Sequence, residues 1–143
     1  MNDLETRVKR NPRITAAENA LLVLLSGPHT EGITRGSTWK IGPLTTIGRL
    51  ADSRLVLPDS SVSRTHCTIE HRADGWWITD EGSANGTIIA GRQIEGGMKL
   101  AKAETIVIGD YQLLFFAGEL GDPILDGRLA QFGVEPDGLS LVK

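Results

Sequence analysis

The sequence has 143 residues, of which 40% are apolar, so it is long enough for about one domain that buries a core without a metal or disulfide. Its 17 glycines and 6 prolines are too many for a helical bundle and are typical of an all-β domain with many short strands. The net charge of −3 argues against the basic surface that nucleic-acid binding requires.

From residue 20 onward, turn signals alternate with short segments that are either continuously apolar or alternating in polarity. Residues 20–25 are continuously apolar, which predicts a buried strand. No segment carries a convincing helical period of ten residues or more, which excludes βαβ folds. We therefore predict a β-sandwich of ten or eleven strands. The predicted strands lie at 20–25, 37–41, 44–47, 54–57, 67–71, 76–80, 87–89, 93–94, 105–108 and 111–116.

The two ends of the chain depart from this pattern. Residues 1–19 lack an apolar period and contain Pro12, so we predict an N-terminal arm with a short helical turn over residues 15–19. Residues 118–143 are acidic and carry scattered apolar side chains without a clear period. This C-terminal extension could pack on the sandwich, contact another protomer or become ordered with a partner. The domain itself is predicted to span residues 20–117.

The single cysteine, Cys67, allows no intrachain disulfide and no zinc-finger spacing. His66 and His71 lie close to it in sequence, but strand alternation sends His66 to the opposite side, so Cys67 is interpreted as a core residue. The longest apolar run is too short for a signal peptide or a membrane span. We therefore expect a cytoplasmic protein without membrane insertion, metal or other cofactor.

Three polar clusters lie in loops between predicted strands: Gly48-Arg49, Ser63-Arg-Thr-His66 and Ser83-Ala-Asn-Gly-Thr87. They offer guanidinium, hydroxyl and carboxamide donors and contain no carboxylate, which suits a phosphate ligand. A serine and a histidine could also indicate a hydrolase. However, no GxSxG elbow surrounds Ser63, and a spacing of three residues in a loop does not by itself place a base on a nucleophile. We therefore expect no catalytic activity.

The order and spacing of these clusters resemble the forkhead-associated (FHA) domain, a phosphothreonine-binding module. The second arginine-containing cluster begins 14 residues after Arg49, and Asn85 follows His66 by 19 residues. The resemblance implies an eleven-stranded β-sandwich of two sheets. The matching motifs are Thr46-Ile-Gly-Arg49, Leu57-Pro-Asp59, Val62-Ser-Arg-Thr-His66, Gly82-Ser-Ala-Asn-Gly-Thr87, Ile106-Val-Ile-Gly109 and Leu113-Leu-Phe115.

The resemblance also implies a role for each polar residue of the motifs. Arg49 would hold one phosphate oxygen, and the Ser63 hydroxyl would bond another. Arg64 would contact the phosphate or the peptide backbone. Asn85 would hydrogen-bond the backbone of the bound peptide and set its register.

Three further residues would support the site. His66 would brace the loop that holds Ser63, while Gly48 and Gly86 would form tight backbone turns. One position departs from the family pattern, because Ala84 stands where the family often has a hydroxyl that helps to bind phosphate. The missing hydrogen bond would weaken binding by about 0.5–1.5 kcal/mol without abolishing it.

The function that follows is recognition of a threonine-phosphorylated protein or peptide by a non-catalytic signalling adaptor or scaffold, downstream of a Ser/Thr kinase. The alternative is a phospho-independent protein–protein or self-assembly module on an FHA-like fold, which Ala84 and the long C-terminal extension keep open. The arms could support self-association, and Thr6 or Thr15 of the N-terminal arm could be phosphorylated and occupy the site.

Overall fold

The computed structural model describes residues 19–30 and 32–143. Apart from Asn19, the predicted N-terminal arm lies outside the described residues, and so do Thr6, Thr15 and most of the predicted helical turn. The strands are β1 (Ala20–Ser26), β2 (Ser37–Ile41), β3 (Leu44–Gly48), β4 (Leu55–Val56), β5 (Cys67–Arg72), β6 (Gly75–Asp80), β7 (Thr87–Ile89), β8 (Arg92–Gln93), β9 (Gly97–Lys99), β10 (Ala103–Ile108), β11 (Tyr111–Phe116) and β12 (Ser140–Leu141). One α-helix, α1 (Pro123–Gln131), and a 3₁₀ turn, Pro136–Gly138, lie between β11 and β12.

The strands form two sheets, which confirms the predicted all-β sandwich. One sheet has the order β12-β2-β1-β11-β10-β7-β8, and the other has the order β4-β3-β5-β6-β9. Neighbouring strands are antiparallel except for β12 with β2 and β3 with β4. The ten strands predicted from the sequence are present with small shifts at their ends. These ten did not include β9, an exposed Gly-Met-Lys segment, or β12, a two-residue edge strand, so the structure has twelve strands where ten or eleven were expected.

Strand β1 is buried on both faces, which explains its continuous apolar run. Leu22 and Leu24 belong to the core between the two sheets, which also contains Ile69, Ile78 and other inward residues of the five-stranded sheet. Leu21, Val23 and Leu25 point to the opposite face. There they belong to a second apolar cluster, formed with the C-terminal extension.

The C-terminal extension packs on the outer face of the seven-stranded sheet. Asp122 caps α1 by accepting a hydrogen bond from the Ile124 backbone N–H, and Pro123 occupies the first turn, where its missing N–H costs nothing. Leu125 and Leu129 are fully buried in the second apolar cluster. The helix ends at Gln131 with Phe132 as its C-cap, and the next residue, Gly133, has a φ of +70°, in the left-handed region that favours glycine. The predicted boundaries at residues 19/20 and 117/118 stay predictions.

We expect Leu129→Ala to destabilise the protein by about 2–4 kcal/mol, because it opens a cavity between α1 and the sheet. Ile124→Ala in the same helix is the control, since the Ile124 side chain is 52% exposed and its loss should change stability by less than about 0.5 kcal/mol. Urea denaturation measures both effects. Equal stability of the two variants would contradict a structural role for the extension.

Candidate functional site

Three loops meet at one end of the five-stranded sheet because of how its strands are paired. Ile47 in β3 pairs with Cys67 in β5, and Cys67 also pairs with Asp80 in β6. The end of β3, the start of β5 and the end of β6 are therefore neighbours. The loops 49–54, 57–66 and 81–86 leave the sheet side by side, and together they contain the three polar clusters except for Gly48, the last residue of β3, and Thr87, the first residue of β7.

Arg49 is held in place by its backbone and by one nitrogen of its side chain. Its backbone N–H donates to the Ser63 carbonyl at 3.0 Å, and its Nε donates to the Val62 carbonyl at 2.9 Å. The side chain is exposed, and its two terminal nitrogens donate to no described residue. The guanidinium is thus oriented by Nε and keeps its paired donors for a ligand.

Glycine is required at position 48, but not because of the tight backbone turn expected there. Gly48 lies in the extended strand β3, and its φ is not positive. A Cβ built on Gly48 would lie 2.1 Å from the Arg64 carbonyl oxygen, so only glycine allows this close approach of the β4–β5 loop. Gly86, by contrast, does occupy a turn conformation, with φ of +81°.

His66 connects the loop of Ser63 to the loop of Gly86. The ring is fully buried, its Nδ1 accepts the Ser63 backbone N–H at 3.1 Å, and its Nε2 lies 2.9 Å from the Gly86 carbonyl. Since Nδ1 accepts, the ring proton is assigned to Nε2, which then donates to Gly86. Both ring nitrogens are therefore engaged with backbone groups, and neither bonds the Ser63 hydroxyl.

The Ser63 hydroxyl is oriented by the loop opposite. Its oxygen accepts the Ala84 backbone N–H at 2.9 Å. The hydroxyl proton has no acceptor among the described residues, so it can donate to a ligand oxygen. Ala84 is exposed beside it, and its methyl group supplies no second hydroxyl.

Asn85 and Arg64 complete the set of residues named from the sequence. The Asn85 Nδ2 donates to the Ser61 carbonyl at 2.8 Å, and its side-chain oxygen accepts from no described residue. Asn85 thus presents an acceptor suited to a peptide N–H. Arg64 is exposed, and among the described residues only its backbone carbonyl makes a hydrogen bond, from the Leu50 N–H at 3.4 Å. Its side chain makes no hydrogen bond or ion pair with a described residue.

Asp80 was missed from the sequence, although it organises the β6–β7 loop. Its carboxylate accepts from the Gly82 and Ser83 backbone N–H groups and from the Ser83 and Thr87 hydroxyls, at distances of 2.6–3.1 Å. Partial burial acts to raise the pKa of Asp80, but the hydrogen bonds from Ser83 and Thr87 outweigh it and hold the pKa below its usual value. The signal in the sequence was an aspartate at a strand end followed by Glu81, Gly82 and Ser83, a pattern typical of an Asx turn.

The residues weighed for metal binding have other surroundings. Cys67 is buried in the core, and burial raises the pKa of its thiol. The His71 ring packs against Trp76 at 4.8 Å between centroids. Residues 19–30 and 32–143 contain no group of three His, Cys, Asp or Glu side chains that could hold a metal ion. Within the same ranges, no helix is long and apolar enough to span a membrane.

Comparisons with known proteins identify one family. The family model of the FHA domain matches residues 45–109. The oxoglutarate dehydrogenase inhibitor of Corynebacterium glutamicum is 32% identical over 124 residues, covering 82% of each chain. The structure of Mycobacterium tuberculosis EmbR in complex with a low-affinity phosphopeptide matches with a TM-score of 0.61 and 28% identity, over 70% of this chain and 24% of that one. A structure from a study of phosphothreonine-dependent FHA domain interactions matches with a TM-score of 0.57 and 26% identity, over 68% and 95% of the two chains.

We expect His66→Ala to lower the free energy of unfolding by about 1–3 kcal/mol, because it leaves the Ser63 N–H and the Gly86 carbonyl without their partner. His29→Ala serves as the control, since His29 is exposed in the β1–β2 loop. Chemical denaturation of both variants measures the difference. A His66→Ala protein as stable as the control would contradict the bracing role.

The lowered pKa of Asp80 predicts a specific pH dependence of stability. Its stabilising contribution is fully present above the pKa of an unfolded aspartate, about 4, and is lost as the pH falls through the lower pKa of the folded state. Asp80→Asn should therefore melt at a lower temperature than the native protein at pH 7, and this gap should shrink below about pH 4. A gap that stays constant down to pH 2 would contradict the assignment.

Proposed function

The chain belongs to the FHA-domain family, and on this premise we propose that it binds threonine-phosphorylated proteins or peptides in the pocket between the β3–β4, β4–β5 and β6–β7 loops. In this proposal Arg49 and Ser63 bind the phosphate, Arg64 contacts phosphate or backbone, and Asn85 binds the peptide backbone. The observation that carries the proposal is the arrangement of Arg49 and Ser63. The Arg49 N–H bonds the Ser63 carbonyl directly, so a charged donor and a hydroxyl donor share one rim.

A phosphate monoester suits this rim by charge and by geometry. It carries about −1.5 to −2 charges at neutral pH and accepts several charge-assisted hydrogen bonds. The Nε bond of Arg49 orients its paired terminal nitrogens, and the bond from the Ala84 N–H holds the Ser63 hydroxyl oxygen, so both donor groups are in place before the ligand arrives. Preorganised donors need less ordering on binding, which favours affinity.

The same hydrogen bonds support a non-catalytic role. A serine nucleophile requires a base within hydrogen-bond reach of its hydroxyl. The one histidine of this loop uses Nδ1 for the Ser63 backbone N–H and Nε2 for the Gly86 carbonyl. The Ser63 hydroxyl therefore has no base in His66, and recognition is the chemistry that the arrangement favours.

The biological role that fits is that of a phosphorylation-dependent regulator. The match to the oxoglutarate dehydrogenase inhibitor extends over most of both chains. This chain therefore resembles that regulatory protein over most of its length, and not only in a shared domain. We propose that this chain docks onto partners phosphorylated by a Ser/Thr kinase and acts there as an adaptor or inhibitor. A cytoplasmic setting fits a phosphorylation pathway and a protein with a single reduced cysteine.

Isothermal titration calorimetry against a degenerate peptide library with a fixed central phosphothreonine tests the proposal. The library with unphosphorylated threonine and the library with phosphoserine are the controls. We expect binding to the phosphothreonine library, weaker binding to phosphoserine and none to threonine. Equal binding of the phosphorylated and unphosphorylated libraries would instead identify a phospho-independent module.

We expect Arg49→Ala to abolish detectable phosphopeptide binding without changing the fold. Each charge-assisted hydrogen bond contributes about 1.5–3 kcal/mol. Losing a bidentate pair would therefore weaken a micromolar complex to an affinity that calorimetry does not detect. Arg92→Ala removes an equal charge from the β7–β8 hairpin, where Arg92 is exposed and pairs with Ile89, and should leave affinity unchanged. Affinity of Arg49→Ala within threefold of the native protein would contradict the role of Arg49.

Ala84→Ser should tighten phosphopeptide binding up to about tenfold, because it adds a hydroxyl donor next to the Ser63 hydroxyl. The exposed position of residue 84 tolerates the larger side chain. Calorimetry of Ala84→Ser and Ala84→Gly with one phosphopeptide gives the comparison, since glycine adds no donor. Unchanged or weaker binding by the serine variant would place the phosphate away from residue 84.

A further inference from the structure

The charges around the pocket are unevenly distributed. Arg49 and Arg64 lie on the side where the phosphate is proposed to bind, and the three polar clusters contain no carboxylate. Two aspartates, Asp59 and Asp110, are connected to Asn85 through hydrogen bonds to Ser61, and we call these two residues the acidic margin. Asp59 belongs to the β4–β5 loop, and Asp110 belongs to the turn between β10 and β11.

Ser61 connects the acidic margin to the peptide-binding residue Asn85. The Ser61 hydroxyl donates to Asp59 Oδ2 at 2.6 Å and accepts the Asp110 backbone N–H at 2.9 Å, while its carbonyl accepts Asn85 Nδ2 at 2.8 Å. Gly109 makes this contact between two loops feasible, since a Cβ there would lie 2.5 Å from the Ser61 hydroxyl oxygen. Ser61 therefore links the Asp59 carboxylate and the Asp110 backbone directly to the side chain of Asn85.

Both carboxylates carry charge that no described residue neutralises. Hydrogen bonds from the Ser61 hydroxyl and N–H lower the pKa of Asp59, so it is ionised at neutral pH. Among the described residues, neither Asp59 nor Asp110 forms an ion pair, and Asp110 is exposed. A basic side chain that approaches the acidic margin therefore meets negative charge that no described residue pairs with.

The buried Tyr111 is a second observation at the same place. Its side chain is fully buried, and its hydroxyl, which lies near Thr30, makes no hydrogen bond of normal geometry to a described residue. Burial raises the pKa of Tyr111, the Thr30 hydroxyl counteracts this, and the negative charges of Asp59 and Asp110 raise it further. The negative charges of both aspartates therefore influence the same buried hydroxyl.

We propose that the acidic margin formed by Asp59 and Asp110 selects phosphopeptides that carry a lysine or arginine beside the phosphothreonine, at a position that crosses Asn85. The preferred ligand is then a zwitterionic segment. Its phosphate lies on the arginine side of the pocket and its basic side chain lies on the aspartate side. This inference rests on the proposed function and names the class of peptide that the same site prefers.

The physical basis is charge complementarity at an exposed rim. An exposed ion pair contributes little to the binding free energy. Replacing a lysine of the peptide by glutamate exchanges attraction for repulsion, so the difference in binding free energy between these two peptides is about twice that of a single ion pair. We expect the lysine peptide to bind about three- to tenfold more tightly than the glutamate peptide at low salt. The difference should diminish at 1 M salt, where charges are screened beyond about 3 Å.

A positional scan with the full chain tests the proposal. Phosphothreonine peptides carry lysine, alanine or glutamate at each of the four positions on either side, and fluorescence anisotropy measures their affinities. We expect the order lysine, alanine, glutamate at one or two positions on one side of the phosphothreonine. Asp110→Lys should reverse the order at those positions, because it changes a side chain that holds no loop contact; only the backbone N–H of Asp110 is used by Ser61.

Glu119→Lys is the matched control. It makes the same charge change at an exposed residue beyond the other end of β11. The six residues of β11 place Glu119 about 20 Å from Asp110. This variant should keep the native preference. Phosphopeptide binding with no charge preference at any position, or a preference that Asp110→Lys leaves unchanged, would overturn this inference alone. Failure of every phosphorylated peptide to bind would overturn the proposed function itself.

Discussion

The buried His66 ring holds the binding loops in one arrangement by accepting one hydrogen bond and donating another. These two bonds tie the Ser63 backbone to the Gly86 backbone, and the main chain of His66 extends the link to Ile47 in β3 and to Glu81 after β6. The carboxylate of Asp80 then fixes the rest of the β6–β7 loop. These contacts satisfy backbone groups inside the protein, which leaves the outward donors of the site for a ligand.

The C-terminal extension shows a different constraint, the need to cover an apolar sheet face. Strand β1 carries leucine or valine toward both faces, and the outward set would be exposed without α1. The last strand, β12, also pairs with the edge of β2 through Ser140 and Leu141 and so protects part of an open sheet edge. The extension therefore covers both the outer face and part of one edge of the seven-stranded sheet.

The fold could be predicted well from the sequence because strand polarity patterns and turn-forming residues are both local features of the chain. Short alternating segments between glycines and prolines identified ten strands, and the loop positions of Arg49, Ser63 and Asn85 followed from them. The prediction failed where tertiary contacts decide the structure. Helix α1 has only nine residues, with Gly127 in its middle, and is stabilised by the burial of Leu125 and Leu129 against a sheet that local pattern does not reveal. The need for glycine at position 48 could not be predicted either, because it arises from the packing of the β4–β5 loop, 16 residues further along the chain, against the end of β3.

The most direct test of a preorganised phosphate pocket is nuclear magnetic resonance of the ¹⁵N-labelled protein during titration with a phosphothreonine peptide. The Arg49 Nε–H and the backbone amides of Ser63, Ala84 and Asn85 report on the site, and the indole N–H of Trp77, bonded to Asp74 on the five-stranded sheet, reports on a remote surface. A preorganised pocket predicts large shifts at the first four groups, none at Trp77, and little change in the core. Shifts centred on the sheet around Trp77, with the Arg49 and Ser63 signals unmoved, would contradict it.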